Sequence, residues 1–593
     1  MLRSSSCAVA FCASALLLSG PAGGADDLAG TSWIVTPSAE STFIAIEFPE
    51  EVDADVPVTM PTMLGMRRPM VRGGTEEQPT LTLEDGAASV ILTLDRGTDR
   101  IDGRLEARGG FPGIQEMAFA LVRWTPPGEH ATTAVFAGDL ELPGGATMEM
   151  ILELGHSENG ASAAIGIPAQ MIESYPAVAT YVDGSWKIDA NFGTMVSIRL
   201  SGNGAEGALE GTMSQSGFDM KLRLDELTEE EIAVDPRPQT PKPPFPYSEV
   251  EARIPVPQGH ELAGTLLIPD GVEDPPVVVL VTGSGPQDRD ETLMGHKPFL
   301  VLADALARRG IASLRYDDRG VGESTGDHAS ALTVDFADDA LAAVVWLRAQ
   351  DTVDSEWIGI IGHSEGGLVA PIAISKDPGI AFAVLMAGTG VDGGRILTSQ
   401  TERIMEIGGT PPEVIEALAV QQEALMDSVR DEASEDEIRR RMLELSLAQV
   451  EAGRATVGDK VTDQLLASTR QQVETMEPPV SDWLAAFIRM DPRVYLSQMR
   501  CPVLALNGTT DVQVLSDLNL PEIERAVTTG GGQVTVIEYE GLNHLFQRSE
   551  TGSIQEYALI RTTIEPEVLE DIAGWIDTVV GRSEPIHVQG GEG

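Results

Sequence analysis

The stretch Trp357-Ile-Gly-Ile-Ile-Gly362-His363-Ser364-Glu365-Gly366-Gly367-Leu-Val-Ala-Pro371 decides how the chain is read. Ile358 to Ile361 is a short apolar run of the kind that forms a buried strand, and Gly366 to Lys376 suits a helix. Between them lies Gly-x-Ser-x-Gly, a turn so tight that the serine hydroxyl must project from the backbone while the glycines leave room for strand and helix to cross. Ser364 is therefore the candidate nucleophile. The N–H of Glu365 lies at the start of the helix, where unpaired donors and the helix dipole favour a developing negative charge, so it is a candidate oxyanion donor. A bare Gly-x-Ser-x-Gly is weak evidence in a chain with 61 glycines among 593 residues. The strand before it, the helix after it and parallel strands on both sides make it specific.

The same grammar continues outward. Apolar runs at Val277 to Val281, Ile311 to Tyr316, Ala381 to Met386, Val503 to Leu506 and Val534 to Tyr539 alternate with helix-forming segments such as Phe299 to Arg309 and Thr333 to Arg348. Strands apolar along their whole length imply a mostly parallel sheet with helices on both faces, led here by a hairpin, Val250 to Ile254 and Glu261 to Ile268. Residues 389–492 break the alternation, being polar, helix-forming and strand-free. An insertion at this point stands over the C-terminal edge of the sheet, so a helical cap is expected. Trp483, Phe487 and Met490 near its end are candidates for a substrate pocket, although their spacing equally suits core packing.

A serine hydroxyl needs a base, and the base needs an orienting carboxylate. Only His544 and His587 follow Ser364. His587 lies in the Gly-rich tail 583–593, whereas His544, in Gly541-Leu-Asn-His544-Leu-Phe546, comes just after the last strand. Asp511 directly follows the penultimate strand; its rival Asp517 lies farther on. The expected catalytic set is thus Ser364, Asp511 and His544, in that functional order along the chain. The second oxyanion donor is expected in the loop Thr282-Gly283-Ser284-Gly285-Pro286, where position favours Ser284. That loop lacks the Gly-Lys-Ser/Thr of a phosphate cradle, and no His, Cys and carboxylate cluster has zinc spacing. Neither a metal nor an organic cofactor is expected. His363 is read as a packing residue, and Asp288-Arg289-Asp290 with Asp317-Asp318-Arg319 as an ion-pair network bracing two loops.

The first part of the chain is all-β, in two similar units at 28–125 and 133–228 that read as small barrels or sandwiches. Leu81-Thr-Leu-Glu-Asp-Gly86 to Trp124 matches Thr180-Tyr-Val-Asp-Gly184 to Leu227, and Ile101-Asp-Gly-Arg-Leu105 matches Leu209-Glu-Gly-Thr-Met213. Met60, Met63, Met66 and Met70 are read as core or loop residues in preference to a thioether site for copper. A proline-rich linker, Asp235 to Pro246 within 229–247, then leads to the sheet-forming domain, 248–582.

Beyond the elbow, Gly283-Ser-Gly-Pro-Gln-Asp-Arg-Asp290, Gly295-His-Lys-Pro-Phe-Leu-Val-Leu-Ala-Asp304, Arg315-Tyr-Asp-Asp-Arg-Gly-Val-Gly-Glu-Ser-Thr-Gly326 and Leu542-Asn-His-Leu-Phe-Gln547 carry a resemblance. Over 248–582 the chain resembles the bacterial α/β-hydrolases grouped with the serine aminopeptidase-like and dienelactone hydrolase-like families. The resemblance implies an α/β-hydrolase fold with Ser364 as nucleophile, Asp511 as acid and His544 as base. The unit 133–228 is similar to the β domain that precedes such hydrolases; the additional copy at 28–125 departs from the commonest arrangement. Thr282 stands where many α/β-hydrolases carry a histidine.

Met1-Leu-Arg3, the apolar Ala8 to Leu18 and the small residues Gly20 to Ala25 have the three parts of a signal peptide, 1–25, and the apolar run is shorter than the roughly 20 residues of a membrane span. With that segment removed, Cys501 alone of the three cysteines remains, so no internal disulfide forms. A bacterial periplasmic or secreted location is expected, without stable membrane insertion. The net charge of −52 argues against nucleic acid or anionic lipid as partners. The expected activity is cleavage of carboxylic esters through an acyl-enzyme, on a small ester or short peptide. A serine exopeptidase on the same residues, and a binding protein whose β units recognise a glycan, lipid or protein, are the alternatives.

Overall fold

The computed structural model describes the strands and short helices between residues 32 and 232, residue 235, and residues 237–454, 459–476 and 478–582. The expected signal segment 1–25, Met60, Met63, Met66 and the tail 583–593 lie outside the described residues. The chain divides between Asp235 and Pro236 into two compact units. Among the described residues no helix is long and apolar enough to cross a membrane.

In the N-terminal unit, eight antiparallel strands between Ser32 and Trp124 close into one barrel and eight more between Thr132 and Glu226 close into a second. Closure removes exposed strand edges. In the second barrel Leu152 and Leu154 point into a core with Ile188, Leu200 and Leu224, while the intervening Glu153 faces solvent, as the period of two requires. The two units share this eight-stranded architecture, but the sequence segments matched between them coincide in strand number only at their end. Ile101 to Leu105 and Leu209 to Met213 both lie on seventh strands, Arg100–Arg108 and Ala208–Gln215. The turns matched further upstream differ: Asp85 ends a fifth strand, whereas Asp183 and Gly184 join a fourth to a fifth. A two-residue turn with positive φ, here 50° and 81°, suits any hairpin, so its sequence signal does not count strands.

The C-terminal unit is built on one sheet, whose strands we number separately: β1 (Tyr247–Pro255), β2 (Glu261–Pro269), β3 (Val277–Val281), β4 (Ala312–Tyr316), β5 (Ile358–His363), β6 (Phe382–Met386), β7 (Pro502–Gly508) and β8 (Gln533–Tyr539). Their spatial order is β1-β2-β4-β3-β5-β6-β7-β8, with β2 antiparallel to both its neighbours and the rest parallel. Strand β3 shows why the runs are continuously apolar. Val277, Val279 and Val281 pack with helices Thr333–Arg348 and Gly366–Lys376 on one face, and Val278 and Leu280 with helices Pro298–Arg308 and Pro566–Val579 on the other. Each such burial contributes roughly 2 kcal/mol.

After β6 the chain leaves the sheet for helices Gly393–Ile407, Pro412–Arg430, Glu435–Ala452, Asp459–Thr475 and Asp482–Arg489, the expected cap. Ser434 and Ser481 start two of them by accepting the N–H groups of Glu437 and Leu484. Leu418, Leu425, Val429, Ile438, Leu445 and Ile488 give this layer a core of its own.

Candidate active site

Strand β5 ends at His363 and the helix begins at Gly366, so the chain reverses over two residues. Ser364 takes the left-handed conformation, φ 54°, which costs a non-glycine residue about 1–3 kcal/mol. Its N–H is held by the Met386 carbonyl at 2.9 Å and its own carbonyl by the Gly367 N–H at 2.9 Å. The glycines are steric necessities. A Cβ on Gly362 would fall 2.0 Å from the Gly366 carbonyl oxygen, and one on Gly366 would fall 2.2 Å from that of Val281. Ser364 remains half-buried, at the C-terminal end of β5.

The histidine arrives from the loop after β8. Asn543, fully buried, organises that loop: its Oδ1 accepts the N–H groups of Leu545 at 3.0 Å and Gln547 at 2.9 Å, and its Nδ2 reaches Gln547 Oε1 at 3.0 Å. His544 Nδ1 donates to Asp511 Oδ2 at 2.8 Å. Asp511, after β7, is fixed in turn by the N–H groups of Gln513 and Val514 on its Oδ1, at 2.8 and 3.0 Å. A carboxylate on Nδ1 selects the tautomer whose Nε2 carries a lone pair, the form a general base requires. Asp517 lies exposed on the helix Ser516–Gly530, away from this arrangement.

The loop after β3 runs against the elbow, where a Cβ on Gly283 would lie 3.2 Å from Ser364 Cβ. The Gly283 N–H is already spent on Glu291 Oε1 at 2.9 Å, which makes Ser284 the next donor along the loop. Glu291 Oε1 also meets His363 Nδ1 at 2.8 Å, and His363 Nε2 meets the His544 carbonyl at 3.0 Å. This corrects the expectation that His363 merely packs. A carboxylate oxygen and a peptide carbonyl both accept, an arrangement that favours hydrogen on both ring nitrogens and an ion pair of His363 with Glu291. Burial alone would lower its pKa; the Glu291 carboxylate outweighs that and leaves it raised. The His363 and His544 rings lie 4.7 Å apart. One buried ion pair thus ties the oxyanion loop, the elbow and the histidine loop together.

The cap reaches the site through Trp483, whose Nε1 donates to Glu365 Oε1 at 2.9 Å. Trp483 also stacks on Phe487, with ring centroids 5.5 Å apart. Phe487 is 6% exposed and belongs to the main core, against which Trp483 and Met490 also pack. The charged loops form the expected brace. Arg289 grips Asp317 with bonds of 3.0 and 2.7 Å, Arg319 grips Asp339, Lys297 reaches Asp290 at 3.2 Å, and Arg315 pairs with Asp290. Asp318 departs from this pattern, accepting only the Thr282 hydroxyl and the Gln287 N–H, both at 3.0 Å. Thr282 thus connects two loops.

A serine on a left-handed turn after β5, an Asp–His pair on the loops after β7 and β8, and the strand order above together define the α/β-hydrolase fold. Residues 258–520 match the model of the X-Pro dipeptidyl-peptidase (S15) family. The chain is 24% identical over 315 residues to esterase EstD of Thermotoga maritima, a match covering 53% of this chain and 65% of that protein. It is 28% identical over 108 residues to an uncharacterized 31.7 kDa protein of Escherichia coli, covering 18% of this chain and 35% of that one. Among solved structures, the Pyrococcus furiosus esterase Pf2001 aligns with a TM-score of 0.34 at 14% identity, covering 57% of this chain and 91% of that one. A 2,6-dihydroxy-pseudo-oxynicotine hydrolase aligns with a TM-score of 0.32 at 16% identity, covering 57% and 70%.

Proposed function

We propose that the protein is an exported serine hydrolase that cleaves carboxylic esters through an acyl-enzyme. The observation that carries this reading is the His544–Asp511 contact of 2.8 Å on loops that flank the strained Ser364 turn. Ser364 Oγ attacks the ester carbonyl while His544 Nε2 takes its proton and Asp511 stabilises the resulting imidazolium. The N–H groups of Ser284 and Glu365 receive the oxyanion. His544 then protonates the departing alkoxide, and water, activated by the same base, attacks the acyl-enzyme to release the acid and restore Ser364. Export rests on the signal-like 1–25 segment and the single cysteine left after it.

The S15 match favours one second reading, an exopeptidase on the same residues. Wild type and Ser364→Ala on p-nitrophenyl esters of graded chain length and on aminoacyl-p-nitroanilides separate the two. Serine-dependent turnover of esters alone supports the esterase. Preferential release from the anilides makes the protein a peptidase, and turnover of neither by folded protein sinks both.

A further inference from the structure

The carboxyl group of Glu365 joins parts of the molecule that lie far apart along the chain. Glu365 follows the nucleophile at the start of the helix Gly366–Lys376, and the residue is 3% exposed. Its Oε1 accepts two donors, the Thr333 hydroxyl at 2.6 Å and the Trp483 indole N–H at 2.9 Å. Thr333 is fully buried at the first position of the helix Thr333–Arg348, whereas Trp483 belongs to the cap helix Asp482–Arg489. The Ser284 hydroxyl lies close enough to favour the ionised form of the same carboxyl group. It forms no hydrogen bond to Oε2, which has no partner. One side chain thus meets the cap, the elbow and the loop after β3. Ser284 and Glu365 are also the two residues whose N–H groups form the proposed oxyanion hole.

The two bonded donors occupy both lone pairs of Oε1. Burial is the largest influence on this group and raises its pKa. With a proton on Oε2 the carboxyl group still offers Oε1 as a carbonyl-type acceptor to the same donors. The Trp483 N–H is the donor that comes from the cap. Its ring is otherwise held by apolar contacts, stacking on Phe487 with centroids 5.5 Å apart and packing on the main core. A phenyl ring reproduces much of that packing without the N–H. Loss of the N–H leaves a buried oxygen one donor short and the carboxyl group free to turn. A turn there reaches the oxyanion donors, whose distance to the developing charge is confined to about 2.7–3.1 Å.

We propose that Trp483 is a positioning residue for the oxyanion hole: through its hydrogen bond to Glu365, the cap holds the Glu365 and Ser284 N–H groups where the developing oxyanion needs them. This role rests on the reading of Ser364 as nucleophile with those two N–H groups as its oxyanion donors. It moves Trp483 from the acyl pocket to the chemical step, and the two roles predict different kinetics. A pocket wall holds substrate and transition state alike, so its loss raises KM, most for long acyl chains. A positioning residue acts on the oxyanion, which every ester develops, so its loss lowers kcat by one factor at every chain length.

The test compares the full chain with Trp483→Phe, Glu365→Gln and Glu365→Ala on p-nitrophenyl acetate, butyrate and octanoate, with thermal unfolding reporting the fold. Trp483→Phe is expected to lower kcat roughly tenfold for all three esters and to leave KM within about twofold. Glu365→Gln keeps a carbonyl acceptor for Thr333 and Trp483, so it should lose at least about tenfold less kcat than Glu365→Ala. If Trp483→Phe does not fold, Trp483→3-benzothienylalanine, which puts sulfur in place of the indole N–H at nearly the same size, reads the same split. An unchanged kcat in the folded variant, a rise in KM that grows with chain length, or equal losses in the two Glu365 variants overturns the proposal. Labelling with a fluorophosphonate separates this failure from that of the hydrolase reading. A wild type labelled at Ser364 whose turnover does not depend on the Trp483 N–H sinks this inference alone, whereas a wild type that neither labels nor turns over sinks both.

Discussion

Replacing Glu291 by glutamine removes one charge while keeping the shape of the side chain, and its consequences run through His363. In the native protein Glu291 Oε1 receives Gly283 N–H and His363 Nδ1–H at 2.9 and 2.8 Å, and the other His363 N–H reaches the His544 carbonyl at 3.0 Å. A neutral amide does not compensate a buried imidazolium, and leaving such a charge unpaired costs about 3–5 kcal/mol. His363 therefore gives up its proton and has one N–H for two acceptors; the forfeited bond is worth about 1–3 kcal/mol. We expect Glu291→Gln to lose about 3 kcal/mol of stability, and kcat/KM for a short ester to fall roughly 10- to 100-fold because the base is displaced. The pH dependence has a definite sign. Glu291 holds the His363 pKa above its ordinary value of about 6.5, so the contribution of the pair is complete below that pH and is lost as pH rises through the folded-state value. The urea midpoint of the wild type should fall on the alkaline side, and the variant should lose this dependence. Urea unfolding and kcat/KM against pH, with nitrogen NMR of the His363 ring, make the measurement. A single ring proton on His363 at about pH 6 in the wild type, below its ordinary pKa, or a variant with native stability and an unaltered pH profile, would refute the reasoning.

Ser364→Gly relieves the φ of 54° and should stabilise the fold by about 1 kcal/mol while reducing ester turnover by roughly 10⁴–10⁶, read by thermal unfolding and kinetics on one preparation. Asp511→Asn leaves His544 Nδ1 without an anionic partner and should lower kcat about 10⁴-fold, whereas exposed Asp517→Asn should change it less than about twofold; equal losses would move the acid elsewhere. Gly366→Ala would put a methyl 2.2 Å from the Val281 carbonyl oxygen, and unfolding at ordinary temperature is expected, so a native melting curve would contradict the elbow geometry. Burial pushes the Cys501 thiol up to about 11, so iodoacetamide should label it slowly in native protein and fast in urea.

The parts of this molecule legible in its sequence are those whose causes are local. A run of β-branched residues, a turn that admits only glycine at two positions and a helix start all act within a few residues. The elbow, the sheet strands, the cap and the order of Ser364, Asp511 and His544 could therefore be read directly. Local signals also misled where they are generic, as when the Asp-Gly turn was matched across the two barrels without fixing the strand it follows. What only the tertiary structure decided is the pairing of buried polar groups. His363 meets Glu291 across 72 positions, and Trp483 meets Glu365 across 118. Nothing near His363 in the chain marks it as charged, and nothing near Glu365 shows that one of its oxygens is buried without a donor. Both follow from which strand ends and loops the sheet order brings together, because a polar group removed from water is defined by the partner it finds there, however distant in the chain.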